Sequence, residues 1–354
     1  VLRQGLVYYN SDRNTEALVK FKKVAAEYPK TPEALEAVAT ARLIYVDSGK
    51  VGEYATWVRT LDFVAVSDAD LDNDTYESAA KQYEQGNNSQ AISGFRAYIS
   101  SFPNGIHALK ANYYLAQAYY AEGQKEKAVP NYEYVVREPR NEFTEQALVR
   151  LGQILLDSGA KEKAIPVLAR LENESDLSQN KVFAQANLMK SYYENKDYAN
   201  AVVYAEKVLN NPKIDDNVKS DAQIIIARSA MQTGDEAKAK AAYAKVLLIA
   251  KGELAAESLY YDAYFKNKEA KYEASNTVVQ KLAKNYASYR FYGAKGLVLM
   301  AENFYGLKDS FQATYILESV IQNFSDFPDV VSEAKTELAR IKSEESKTNS
   351  SISN

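Results

Sequence analysis

His107 is the only histidine in 354 residues, and there is no cysteine. Thiol nucleophiles, disulfide staples and sulfur-held zinc are therefore excluded. A catalytic triad or a histidine metal cage would rest on His107 with specific partners. It follows Pro103-Asn104-Gly105, where a helix begins, so its expected place is a surface or cap position. The alternating acids Asp68, Asp70, Asp72 and Asp74 have the residue type that binds calcium. An EF-hand loop needs Gly at its sixth place and Glu at its twelfth. Counted from Asp68, those places hold Asn73 and Ala79. The run reads instead as a solvated linker, with Asp74 capping a helix and Glu77 completing a capping box. Carboxylate pairs such as Glu122/Glu126 lie among Lys125 and Lys127, as on an ordinary solvent face. No HExxH, GxSxG, Walker or GxGxxG pattern occurs. The sequence predicts no catalytic residue, no metal site, no cofactor and no enzyme.

The elements that would carry any other chemistry are set by a repeat. Ala17, Tyr54, Ala91, Ala128, Ala164, Ala201, Ala239, Ala274 and Ala313 are separated by 37, 37, 37, 36, 37, 38, 35 and 39 residues. Five places before each mark lies a turn position: Asp12, Gly49, Gly86, Gly123, Gly159, Lys196, Gly234, Glu269 and Lys308. Gly, Asn and Asp there tolerate a left-handed backbone or cap the next helix. Four places after each mark an apolar residue recurs, as at Phe21, Phe95, Tyr132, Leu168 and Val278. A small residue lets two helices cross closely, and the large residues fill the space between units. One such unit cannot bury its apolar face alone, so neighbours must stack. The 28 Tyr fit helix pairs whose edges are wet, since the ring packs and the hydroxyl reaches water.

The pattern Leu-Gly-x-x-Tyr … Ala-x-x-x-Phe … Pro, with Leu115-Ala116-x-x-Tyr119 and Leu151-Gly152-x-x-Leu155 as examples, resembles the tetratricopeptide repeat. That family's usual period is about 34 residues; the longer period here is assigned to the inter-unit loops. The resemblance covers residues 1–328. It implies an all-α fold, a right-handed α-solenoid of about nine helix-turn-helix repeats with a C-terminal capping helix. The expected divisions are 1–66, two repeats with the first truncated; 67–75, an acidic linker or hinge; 76–328, seven repeats; 329–342, a capping helix; and 343–354, a disordered tail. Gly5 and Tyr8 sit at helix-A positions, so the sequence reads as a fragment of a longer array, with targeting unreadable.

By resemblance, the first helix of each unit, helix A, lines a concave face that contacts a partner segment. The matching positions are Tyr76, Tyr83, Tyr113, Gln117, Tyr120, Gln153, Phe183, Lys190, Tyr193 and Arg228. Lys110, Gln146, Leu156, Met231, Val298, Glu302 and Tyr305 share that face. Tyr, Gln, Lys and Arg suit a protein or peptide: rings give area, amides bond backbone, cations hold acidic groups. The alternative is that these Tyr pack between units. The Asn of the two-carboxylate clamp is replaced by Gln117, Gln153 and Lys190, which disfavours a chaperone-tail receptor.

The net charge of −4 and the lack of a basic block disfavour nucleic acid. No apolar run approaches the roughly 18 residues of a membrane span. The repeats over 76–139 resemble those of bacterial envelope proteins, of the Tol–Pal-associated and outer-membrane-assembly kinds. The Trp57–Tyr76 joint resembles very long repeat proteins of Bacteroidota. Those resemblances imply a non-catalytic scaffold organising the envelope, periplasmic and associated with the outer membrane through partners or a preceding segment. A cytoplasmic scaffold is the alternative location. An accessory component of an outer-membrane nutrient-uptake complex is the alternative function.

Overall fold

The computed structural model describes residues 1–352. Among them are nineteen helices and no strand. Two compact units form, Val1–Asp176 and a second beginning at Leu177. The first holds α1 (Leu2–Asn10), α2 (Asn14–Glu27), α3 (Pro32–Asp47), α4 (Val51–Val58), α5 (Asp68–Glu84), α6 (Asn88–Ser101), α7 (Ala108–Ala121), α8 (Lys125–Arg137), α9 (Thr144–Asp157) and α10 (Lys161–Glu174). The second holds α11 (Ser178–Glu194), α12 (Tyr198–Leu209), α13 (Asp216–Thr233), α14 (Glu236–Ile249), α15 (Gly252–Lys268), α16 (Tyr272–Asn285), α17 (Arg290–Gly306), α18 (Ser310–Asn323) and α19 (Pro328–Ile352). Odd-numbered helices up to α17 are the A helices and even-numbered ones the B helices. Within each unit the helices pack against neighbours one or two places along the chain, an all-α solenoid.

The turn between A and B is the same device each time. Asp12, Gly49, Gly86, Gly123, Gly159, Lys196, Gly234, Ala270 and Lys308 all have φ between +55° and +79°. At Gly123 the N–H bonds Tyr120 O (3.0 Å), and the next N–H, of Gln124, reaches back to Tyr119 O (2.9 Å). That closes the open carbonyls at the end of α7. The seven marks Ala17, Ala91, Ala128, Ala164, Ala201, Ala239 and Ala313 are fully buried, and Tyr54 is buried too. So are Phe21, Phe95, Tyr132, Leu168 and Leu317 four places on.

The eighth pair corrects the register. Its left-handed residue is Ala270 and not Glu269, so the buried mark is Ser275 and Ala274 faces solvent. The apolar residue four places on is Val279 in place of Val278. A serine fits this interior site because its polar atom is fully used. Ser275 Oγ donates to Ala263 O and accepts from Asn303 Nδ2, both at 2.8 Å. Asn303 is itself buried and bonds Asn276 and Asn267, at 2.8 Å each.

Two expected boundaries also change. Residues 67–75, read as a linker or hinge, begin α5. Ser67 is the cap: its Oγ accepts from Asp70 N and its N–H donates to Asp70 Oδ2, both at 3.1 Å. The capping box is therefore Ser67/Asp70, not Asp74/Glu77. Asp72 and Asp74 turn inward. Tyr98 Oη donates to Asp72 Oδ1 (2.6 Å), and Ile106 N donates to Asp72 Oδ2 (3.1 Å). Gly105 is required beside this group, because a Cβ there would collide with Asp72 and the Tyr98 hydroxyl. Asp74 receives both arms of Arg42, at 2.6 and 2.7 Å. The division between compact units falls instead at Asp176/Leu177.

At the other end, α19 continues through Ile352 where a disordered tail was expected from 343; Ser353 and Asn354 lie outside the described residues. Val330, Ala334 and Ile341 anchor it in the core of α17 and α18. Beyond residue 342, Glu344 accepts from Tyr305 Oη (2.8 Å) and Glu345 from Ser310 Oγ (3.2 Å). These contacts reward helix past the apolar stripe.

The second repeat is irregular. Its B helix, α4, has only eight residues. Trp57 packs against Tyr45 and Tyr54 there, and Leu61, Phe63, Val64 and Val66 continue the apolar cover without helix.

Candidate functional site

In the first unit the expected contact residues lie on α5, α7 and α9, and all are half-buried. Tyr76 stacks on His107, with centroids 4.2 Å apart and planes at 12°. His107 sits at the N-cap of α7, 3.0 Å from Asn73 Oδ1, and burial lowers its basicity. Its surroundings are those of a packing residue. Tyr83 packs edge-on to Phe95 and tilts against Tyr114, 5.1 Å away. Burial pushes the Tyr76 hydroxyl up to about 12 and raises that of Tyr83. Tyr76, Tyr83, Glu84, Asn88 and Tyr114 line a cleft of about 430 Å³.

On α7, Tyr113 stacks on Phe143 (4.3 Å, 22°) and accepts from Gln117 Nε2 (2.6 Å). Gln117 in turn accepts from Tyr132 Oη (3.1 Å). One amide therefore ties an A helix to its B helix. Burial raises the hydroxyls of Tyr113 and Tyr132, and the charge of Arg150 acts against that in both.

Arg150, on α9, was not among the residues expected from sequence. Its guanidinium lies 4.3 Å over the Tyr120 ring. Its Nε is buried without an acceptor, and no carboxylate among the described residues pairs with it. A stacked, partly dehydrated guanidinium without a carboxylate keeps unused capacity for a charge-assisted hydrogen bond. Counting the face at Gln146 and Gln153 passed over the position between them. The signal was available: Arg150 is four places after Gln146, so it belongs to the same helical stripe. Gln153 itself turns to Asp157 Oδ1 (2.6 Å).

In the second unit, several expected contacts are occupied within the fold. Lys190 pairs with Asp221 at 2.6 Å. Tyr193 tilts against Tyr198, and Phe183 is half-buried on α11. Arg228 is committed to Glu257, at 2.9 and 2.5 Å. Glu257 is buried and also accepts from Tyr243 Oη (3.0 Å) and Tyr292 Oη (2.9 Å). Burial works against ionisation of Glu257, but Arg228 and the two hydroxyls prevail and hold it below the usual carboxylate range. Four side chains from α13, α14, α15 and α17 thus close one internal network. Val298, also counted on this face, is core.

Three stretches of the chain match family descriptions. A tetratricopeptide repeat-like domain matches residues 51–181, and tetratricopeptide repeats match residues 1–31 and 220–252. Among solved structures, the chain is similar to a tetratricopeptide repeat protein from Parabacteroides merdae (14% identity, 75% of this chain and 98% of that one, TM-score 0.37). It is similar to the C-terminal part of a TPR repeat-containing protein from Cytophaga hutchinsonii (16% identity, 73% and 99%, TM-score 0.39). A third is Pseudomonas aeruginosa pilF (19% identity, 65% and 100%, TM-score 0.38). No curated protein matches. No helix among the described residues is long and apolar enough to cross a membrane.

Proposed function

We propose that this chain, a tetratricopeptide repeat protein, is a non-catalytic scaffold that holds an acidic segment of a partner protein on the A-helix face of α7 and α9. The observation that carries the reading is Arg150. Its guanidinium is stacked on Tyr120, and its Nε is buried without an acceptor. Arg150 as a whole is only half-buried, so a partner carboxylate would pair with the guanidinium from its solvent side, while Tyr113 and Tyr120 offer ring area beside it. The likeness of residues 76–139 to envelope repeats and the absence of cysteine support a periplasmic setting near the outer membrane. The partner is then a component of envelope organisation or outer-membrane protein assembly.

The test begins with capture of the full-length protein after cross-linking in its native cells, with partners identified by mass spectrometry. Each partner is then titrated against the wild type and Arg150→Gln. Losing a desolvated charge pair costs about 2 kcal/mol or more, so the variant should bind roughly 30-fold more weakly. Its melting temperature should stay near the wild-type value. Gln117→Ala with Tyr120→Ala should weaken the same partner. Equal affinity for Arg150→Gln would overturn the assignment of this face, and recovery of cytosolic partners alone would overturn the envelope setting.

A further inference from the structure

A second recess in the first unit lies between α3 and α5 and encloses about 500 Å³. Its wall on α3 is apolar: Leu35 and Leu43 leave 50% and 53% of their surface open, and Val46 and Ala39 lie beside them. Opposite edges carry Glu36 on α3 and Asp70 and Glu77 on α5. The only cation in the lining, Arg42, is neutralised by Asp74. Asp70 feels Arg42 and is held by Ser67, but Arg42 is spent chiefly on Asp74, so the recess keeps an excess of negative charge from Glu36, Glu77 and Asp70.

The third side of the recess is backbone. Val64, Ala65 and Val66 line it and belong to no helix. Among the described residues, the N–H groups of Ala65 and Val66 and the carbonyls of all three have no hydrogen-bond partner. These are obligatory hydrogen-bonding groups. Val-Ala-Val is also a sequence that suits strand pairing. Backbone left unpaired in this way can take an added strand.

We infer that this recess binds an extended, cationic segment of a partner. Its backbone pairs with Val64–Val66, its alternate apolar side chains lie on Leu35 and Leu43, and its Lys or Arg side chains face Glu36, Asp70 and Glu77. This site goes beyond the function proposed above, because it uses other helices, backbone in place of side-chain recognition, and the opposite charge.

A labelled acetyl-Lys-Val-Lys-Val-Lys-Val-amide peptide is the probe, followed by fluorescence anisotropy and by amide hydrogen exchange of the full chain. The expected result is saturable binding with slowed exchange at one of the two amides Ala65 and Val66, because adjacent N–H groups of an extended segment point to opposite edges. Affinity should fall at least tenfold for Glu36→Lys with Glu77→Lys, whose helical content is checked by circular dichroism. It should fall as much for the peptide N-methylated on alternate residues, and a Glu-Val peptide should not bind. Absence of saturable binding would overturn the inference. So would equal affinity of the methylated peptide, or indifference to the charge reversal. Partner capture lost in Arg150→Gln while this recess stays inert would sink the present inference and leave the α7/α9 face standing.

Discussion

The Glu302 carboxyl on α17 is pushed up to about 7, first by burial and then by Glu337 and Glu333 of α19; Arg340 and Lys268 pull the other way more weakly. The folded chain therefore holds a proton on Glu302 that the unfolded chain releases near the ordinary carboxylate value of about 4.3. Its favourable contribution is present below that value and is lost as pH rises through about 7. The expected outcome is a melting temperature that drops between pH 5 and pH 8, with Glu302→Gln flattening the drop. Differential scanning calorimetry across that range decides it, and parallel curves for the two proteins would refute the assignment. Single residues also mark where reading the sequence stopped. Ala274 looked like the eighth mark because an alanine is the usual small residue there. Ser275 could take the site because Ala263 O accepts its proton and Asn303, 28 positions later, donates to its oxygen. A distant partner of that kind leaves no local pattern. Arg150 is similar: its stripe was legible, its want of a partner was not.

Among elements, the A-to-B turns were the most legible, since a left-handed residue restricts the choice of side chain. Eight of the nine positions stand where the sequence placed them, and the ninth moved by one residue. The acidic run was misread because alternating Asp has high polarity, the usual mark of a loop. Here two of those acids are buried acceptors, for Tyr98 and for Arg42, which turns a polar segment into a docked helix. The buried network of the second unit acts at the same scale, because Arg228 and Glu257 join α13 to α15. Glu257→Leu should lose about 2–3 kcal/mol, less than a fully buried pair because Arg228 keeps one side in water. Arg228→Met with Glu257→Leu should cost less than Glu257→Leu alone, since no unpaired charge is left. Urea titrations of the single and double variants measure this. A double variant as unstable as the sum would mean the two residues act independently.

At the scale of the whole chain, the period and the all-α class were legible, while the division at Asp176/Leu177 was not. Ser175-Asp176-Leu177 has the composition of any other inter-repeat loop, and the boundary is set by packing instead. Each unit has its own core clusters, around Phe21 and Tyr45 in the first and around Tyr243, Leu259 and Leu317 in the second. Fragments 1–176 and 177–354, expressed separately, should each show helical circular dichroism and a cooperative melt. A fragment that stays unfolded would show that its stability is borrowed. One further feature bears on how such a chain answers force. The ion pairs Arg42–Asp74, Lys81–Asp47, Lys125–Asp157 and Arg290–Asp326 each join positions about one repeat apart, and helices touch chiefly their near neighbours. Among the described residues, the first and last helices of a unit do not form one of these principal contacts. Under tension the chain would yield one hairpin at a time, each releasing about 120–130 Å of slack. It would rewind in the same small steps when the load falls, as an extensible tether does.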